Sequence, residues 1–227
     1  GYAAVIIPVL RTDNDADARE QALAALSRIK PWTEEIVLQL FWSGTQDGDE
    51  TIRRKALQLQ RELPELSNDQ LVKIAAMLSS DRSAGVRTTV LDLLKPVMRI
   101  PEIRAAVATA FSANPGVFDN SEFNLVADML APYAGRDEQI STQLIQSIKD
   151  LPNTEQRKKV LQLVLGKVNI EKVLEPVLQL FERERNEELR QTLFNQVKAL
   201  SVARHPQLVT VFCAELVEPG SPFRVTC

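Results

Sequence analysis

The residues best able to do chemistry are few. One histidine, His205, and two cysteines, Cys213 and Cys227, stand near the end of the 227-residue chain. A nucleophilic triad needs a base beside Ser or Cys. His205 and Cys213 on one helix would lie about 12 Å apart along its axis, too far for a dyad. His205 is expected to face solvent or sit in an N-terminal turn. One His and two scattered Cys do not make a zinc shell, and no EF-hand spacing of carboxylates occurs. Glycine-rich phosphate cradles are absent too. The paired acids Glu34/Glu35 and Glu187/Glu188 open helices, where they complement the helix dipole. No catalytic residue, metal site or cofactor is expected.

What does recur is an acid six residues ahead of an arginine. Asp13 precedes Arg19, Asp47 precedes Arg53, Asp81 precedes Arg87, Glu184 precedes Arg190 and Glu218 precedes Arg224. With Asn124 and Arg157 filling the series, successive spacings are 34, 34, 37, 33, 33 and 34. The fourth and fifth members have Phe118 and Leu151 where the acid belongs.

These residues must be positioned by helices. Apolar residues fall three, four, six and seven places after the arginine, as in Val90, Leu91, Leu93 and Leu94, which is one face of an α-helix. A second helix-like segment, such as "NDQLVKIAAMLSS", lies between each pair, and turns such as "SGTQDGD" and "KDLPNTE" separate them. No alternating β-branched run bounded by hairpin turns is present. The arginine falls about 60° from the centre of the apolar face, on the flank a neighbouring hairpin would pass. There its guanidinium can reach the preceding turn's carboxylate or the carbonyls of the next unit.

The pattern resembles the HEAT-repeat family, most fully in "VLEPVLQLFERERNEELRQTLFNQV" with Pro176, Glu184 and Arg190 at the family's proline, acid and arginine positions. The resemblance implies an all-α, right-handed α-solenoid of about six and a half helix-hairpin repeats, forming one array over residues 1–227. The units run roughly 1–30, 31–64, 65–99, 100–134, 135–168, 169–201 and 202–227. It also implies that the proline bends the first helix and that acid and arginine form a ladder between units. A tetratricopeptide array would share the period, but its Trp and Gly-x-x-Tyr signature is missing. Residues Tyr2 to Leu10 read as the end of a first helix, and a helix capped at Ser221 with Pro222 in its first turn is expected to run past Cys227. An excerpt from a longer array is the expectation, with Gly1 left over from cloning.

Net charge is −3, and aromatics are 5% of residues. That gives no global attraction to nucleic acid or anionic membrane. The longest apolar run, "AAVIIPVL", falls well short of the roughly 20 residues of a spanning helix. A soluble, cytoplasmic protein is expected. The resemblance puts the second helices on a concave face, where Arg54, Lys55, Lys158 and Lys159 are basic, and Glu20 and Asp92 acidic, with no continuous basic stripe. On the fourth second helix, Leu125, Val126 and Met129 fall on the open side and suggest a docking patch beside Lys158 and Lys159. Alternatively, the extended turn "SANPGVFDNS" rotates this helix and returns them to the core. Trp32 and Trp42 are read first as packing residues, second as anchors on the opposite, convex side. The function expected is a non-catalytic scaffold for a protein or peptide partner. An enzyme on this scaffold, acting on nucleic acid or a chromophore, and a plain spacer are the other readings.

Overall fold

The computed structural model describes residues 2–62, 66–198, 200, 204–209 and 213. Among them are twelve α-helices and no strand, so the chain is all-α. It divides into two compact units, Gly1–Met129 and Leu130–Cys227.

In the first unit, α1 (Tyr2–Thr12), α3 (Glu34–Gln46), α5 (Asn68–Ser80) and α7 (Pro101–Ala113) alternate with α2 (Ala16–Ser27), α4 (Glu50–Gln60), α6 (Ala84–Leu94) and α8 (Asn120–Leu130). Within hairpins, α1 packs on α2, α3 on α4 and α5 on α6. Between hairpins, α1, α3, α5 and α7 each touch the next in that order, while α2 touches α4 and α4 touches α6. The second unit holds α9 (Glu138–Ser147), α10 (Thr154–Val164), α11 (Leu174–Arg183) and α12 (Glu187–Val197). Here α9 packs on α10 and α11, and α11 on α12. Pro176 is the third residue of α11, just after a 3-10 turn over Ile170–Val173.

Local chemistry sets the helix starts. Asp15, Asp49, Ser83, Asn153 and Asn186 cap the second helices, each side chain accepting from a backbone N–H of the first turn. Ser67 and Gln70 form a reciprocal capping box at α5. Pro101 starts α7, where its missing N–H costs nothing. The first core joins two hairpins: Leu10, Leu23, Leu26, Ile36, Leu40 and Ile52 are buried together. Each contributes about 1.5–3 kcal/mol through removal from water. Gly44 on α3 permits a close approach of α4, since a Cβ there would stand 2.7 Å from Gln60 Nε2. Among the described residues, no helix is long and apolar enough to cross a membrane.

Glu218, Arg224, Ser221, Pro222 and Cys227, for which a ladder pair and a capped helix are expected, lie outside the described residues.

Candidate functional site

The recurring arginines are tied in one manner. Arg19 donates through Nε and Nη2 to the two carboxylate oxygens of Asp47, at 3.0 and 2.9 Å. Arg53 does the same to Asp81, at 2.7 and 2.9 Å. The remaining nitrogen turns back to the arginine's own loop: Arg19 Nη1 reaches the Asp13 carbonyl at 2.9 Å, and Arg53 Nη1 the Asp47 carbonyl at 2.9 Å. The direction is therefore opposite to the one expected. Carbonyls come from the preceding turn and the carboxylate from the next hairpin. The guanidinium groups of Arg19 and Arg53 are held above their ordinary pKa, chiefly by these carboxylate hydrogen bonds.

The six-residue interval follows from the cap. The acid stands two residues before the cap and folds its own turn: Asp47 Oδ1 accepts from Asp49 N at 2.8 Å, Asp81 Oδ1 from Ser83 N at 2.9 Å. The arginine stands four residues after it, on the first turn of the helix. One carboxylate thus shapes a loop and receives the neighbour's guanidinium.

The fourth hairpin departs from the expected register. Asp119 Oδ1 accepts from Ser121 N and Glu122 N, so this helix starts at Asp119. Four residues on stands Phe123, not Asn124. Phe123 is buried, with its ring centroid 5.8 Å from that of Phe111, and Phe118 packs on the same ring at 5.5 Å. The shift by one corrects the docking patch. Val126 and Met129 are buried at 0% and 5% exposure, and only Leu125 is partly open. The carboxylate expected at position 118 comes instead from Glu122. It accepts from Arg87 Nε and Nη2 at 3.0 and 2.8 Å and from Asp119 N at 2.9 Å. Arg87 and Glu122 side chains are 4% and 2% exposed, the most enclosed of these pairs. The signal available in sequence was Asp119-x-x-Glu122, a capping box.

In the second unit Arg157 Nε lies 3.3 Å from Glu184 Oε2 without hydrogen-bond geometry. Its Nη1 reaches the Leu151 carbonyl at 3.1 Å and its Nη2 the Thr154 hydroxyl at 3.2 Å. Arg190 Nη1 donates to the Glu184 carbonyl at 3.4 Å, and its guanidinium lies 4.8 Å from the Phe181 ring centroid.

The basic residues of the second helices are largely engaged. Lys55 pairs with Glu20 across two hairpins, and Arg54 is exposed beside Gly85. Lys158 pairs with Glu188 at 2.6 Å and Glu155 at 3.3 Å. The hydrogen bond to Glu188 is the main cause of its raised pKa. Lys159 is half-buried.

The other row of helices carries a groove that the sequence indicated only through Trp42, read second as an anchor on that side. It is about 760 Å³ in volume and runs along α3 between α1 and α5. Leu38, Phe41 and Trp42 supply an apolar floor, with Leu38 53% exposed. Arg11 stands on the α1 side, its guanidinium 5.7 Å from the Trp42 ring centroid, and Lys73 on the α5 side. Trp32, by contrast, packs on the core of the first two hairpins beneath the Lys30 ammonium, 3.1 Å above its ring.

His205 Nε2 lies 3.3 Å from Glu171 Oε1, and Cys213 is exposed. Among the described residues no three His, Cys, Asp or Glu side chains gather as metal ligands would. Compared with family models, curated proteins and solved structures, the chain matches none.

Proposed function

We propose that the chain forms a right-handed, HEAT-like α-solenoid that binds a protein or peptide partner without catalysing a reaction. The observation that carries this is the groove along α3. Its apolar and aromatic floor, opened to solvent and bordered by charge, suits side-chain docking. The stacked first helices support the solenoid reading, as does the linkage of successive hairpins by Arg19–Asp47 and Arg53–Asp81. Val126 and Met129 lie in the core, and the partner surface proposed is the groove on the first helices of the first unit.

Affinity capture on the immobilised chain, followed by calorimetric titration of the recovered protein, tests the proposal. The expected result is saturable binding at a fixed stoichiometry, with the partner recovered at unchanged mass. A partner returned with altered mass would make the chain an enzyme. Absence of any saturable partner would make it a spacer.

A further inference from the structure

The geometry points to an acidic, amphipathic α-helix as the occupant of the α3 groove. This rests on the scaffold reading above and names the class of partner.

The groove has the length and section of a helix seat. Its lining runs from Glu35 to Gln46 on α3, about 17 Å at 1.5 Å per residue, or about three helical turns. The flanking helices α1 and α5 both touch α3 and rise on either side of it. A partner helix laid between them would replace water over Leu38, Phe41 and Trp42 with one apolar row spaced three and four residues apart. Leu38 contributes most of the gain, because it is the most exposed of the three.

Charge selects among such helices. Arg11 stands on the α1 wall and Lys73 on the α5 wall, and neither has an ion-pair partner among the described residues. Contact with the Trp42 ring holds the Arg11 cation against the floor. Among the described residues Glu35 is the one carboxylate lining the groove, and it sits in the first turn of α3, whose own N-terminal dipole answers it. The unanswered charges are two cations on opposite walls. A helix with carboxylates on both sides of its apolar row satisfies both, whereas lysines there meet like charge. The mixed charges of the second helices, where Lys55 already holds Glu20, offer no such demand.

The test uses the full chain and three fluorescein-labelled peptides of about sixteen residues, a length that sustains helix. They share one Leu row and differ only in flanks of Glu, Gln or Lys. Anisotropy titrations are expected to rank them Glu, Gln, Lys, with the extremes about tenfold or more apart. Leu38→Asp should weaken the Glu peptide by about tenfold or more with helical circular dichroism unchanged. Arg11→Glu with Lys73→Glu, both at exposed positions, should invert the ranking. Failure of all three peptides to bind, affinity independent of the flank, or a ranking unmoved by the double reversal overturns the inference. So does a concentration-dependent dimer abolished by Leu38→Asp, which would give the groove to a second copy. A captured partner that binds Leu38→Asp as well as the parent chain removes the groove from consideration while leaving the scaffold proposal intact.

Discussion

Arg53 in the first unit and Arg157 in the second occupy the same place, four residues after a helix cap, yet they are bonded differently. Arg53 meets Asp81 edge to edge through two hydrogen bonds, while Arg157 approaches Glu184 through a single 3.3 Å ionic contact. The length of the acceptor does not explain it, because Arg87 grips a glutamate, Glu122, with two bonds. The residue one place after the cap does. It is Ala16, Glu50 or Ala84 in the first unit and Thr154 in the second, where a hydroxyl draws off Arg157 Nη2. A short local hydrogen bond competes with a long-range one, and the local bond needs no ordering of a second hairpin. Register alone therefore does not fix the strength of a link.

The comparison breaks most visibly at its strongest member. Arg87→Met leaves the enclosed Glu122 carboxylate without its cation, and should lower stability by about 3–5 kcal/mol in urea melts followed by circular dichroism. An effect no larger than that of Arg157→Met would dissolve the distinction between the units. In the second unit a turn matters more than a charge. Gly135 has φ 89°, and a Cβ there would stand 2.8 Å from the Lys167 backbone carbon. Gly135→Ala should cost about 2–4 kcal/mol, against about 1–2 for Gly166→Ala, which has φ 84° and open space around it.

Arginine-to-lysine exchanges sharpen the contrast. Arg53→Lys gives up paired bonds and should cost about 1–2 kcal/mol, whereas Arg157→Lys should cost no more than about 0.5. Thr154→Ala releases Arg157 toward Glu184, and a midpoint shift equal to at most about 0.5 kcal/mol of added stability is expected. Equal responses of Arg53 and Arg157 to lysine would show that the hydroxyl diverts nothing of consequence.

A last measurement follows pH. Lys158 has a raised folded pKa, so its contribution is whole below the ordinary lysine value of 10.5 and fades as pH rises through the folded value. A small alkaline loss should vanish in Lys158→Met. An unchanged alkaline limb would separate the Glu188 pair from stability.

Helix content and the acid–arginine recurrence were legible because both are short-range patterns. Val90, Leu91, Leu93 and Leu94 mark a face within two turns, and all four are buried. The fourth hairpin misled for a definite reason. Counting to Asn124 measured the interval between arginine positions, but the helix is set by its cap, Asp119, one residue nearer than that count implies. Phe118 looked like a lost acid because the replacement, Glu122, sits inside the helix. The groove was illegible for another reason. In "EEIVLQLFW" Leu40 lies on the buried stripe with Ile36 and Ser43, and Leu38 falls about 200° away on the outer face, but whether that outer face is recessed depends on α1 and α5 alongside. That depth is a property of three segments together.

The sidedness of the Arg19 and Arg53 contacts also bears on how the chain is made. Each guanidinium is clamped by carbonyls of a loop synthesised before it and lacks only a carboxylate synthesised about one hairpin later. Synthesis therefore completes each guanidinium and its loop carbonyls before the carboxylate that joins them, so every link in the first unit closes onto the later-made hairpin.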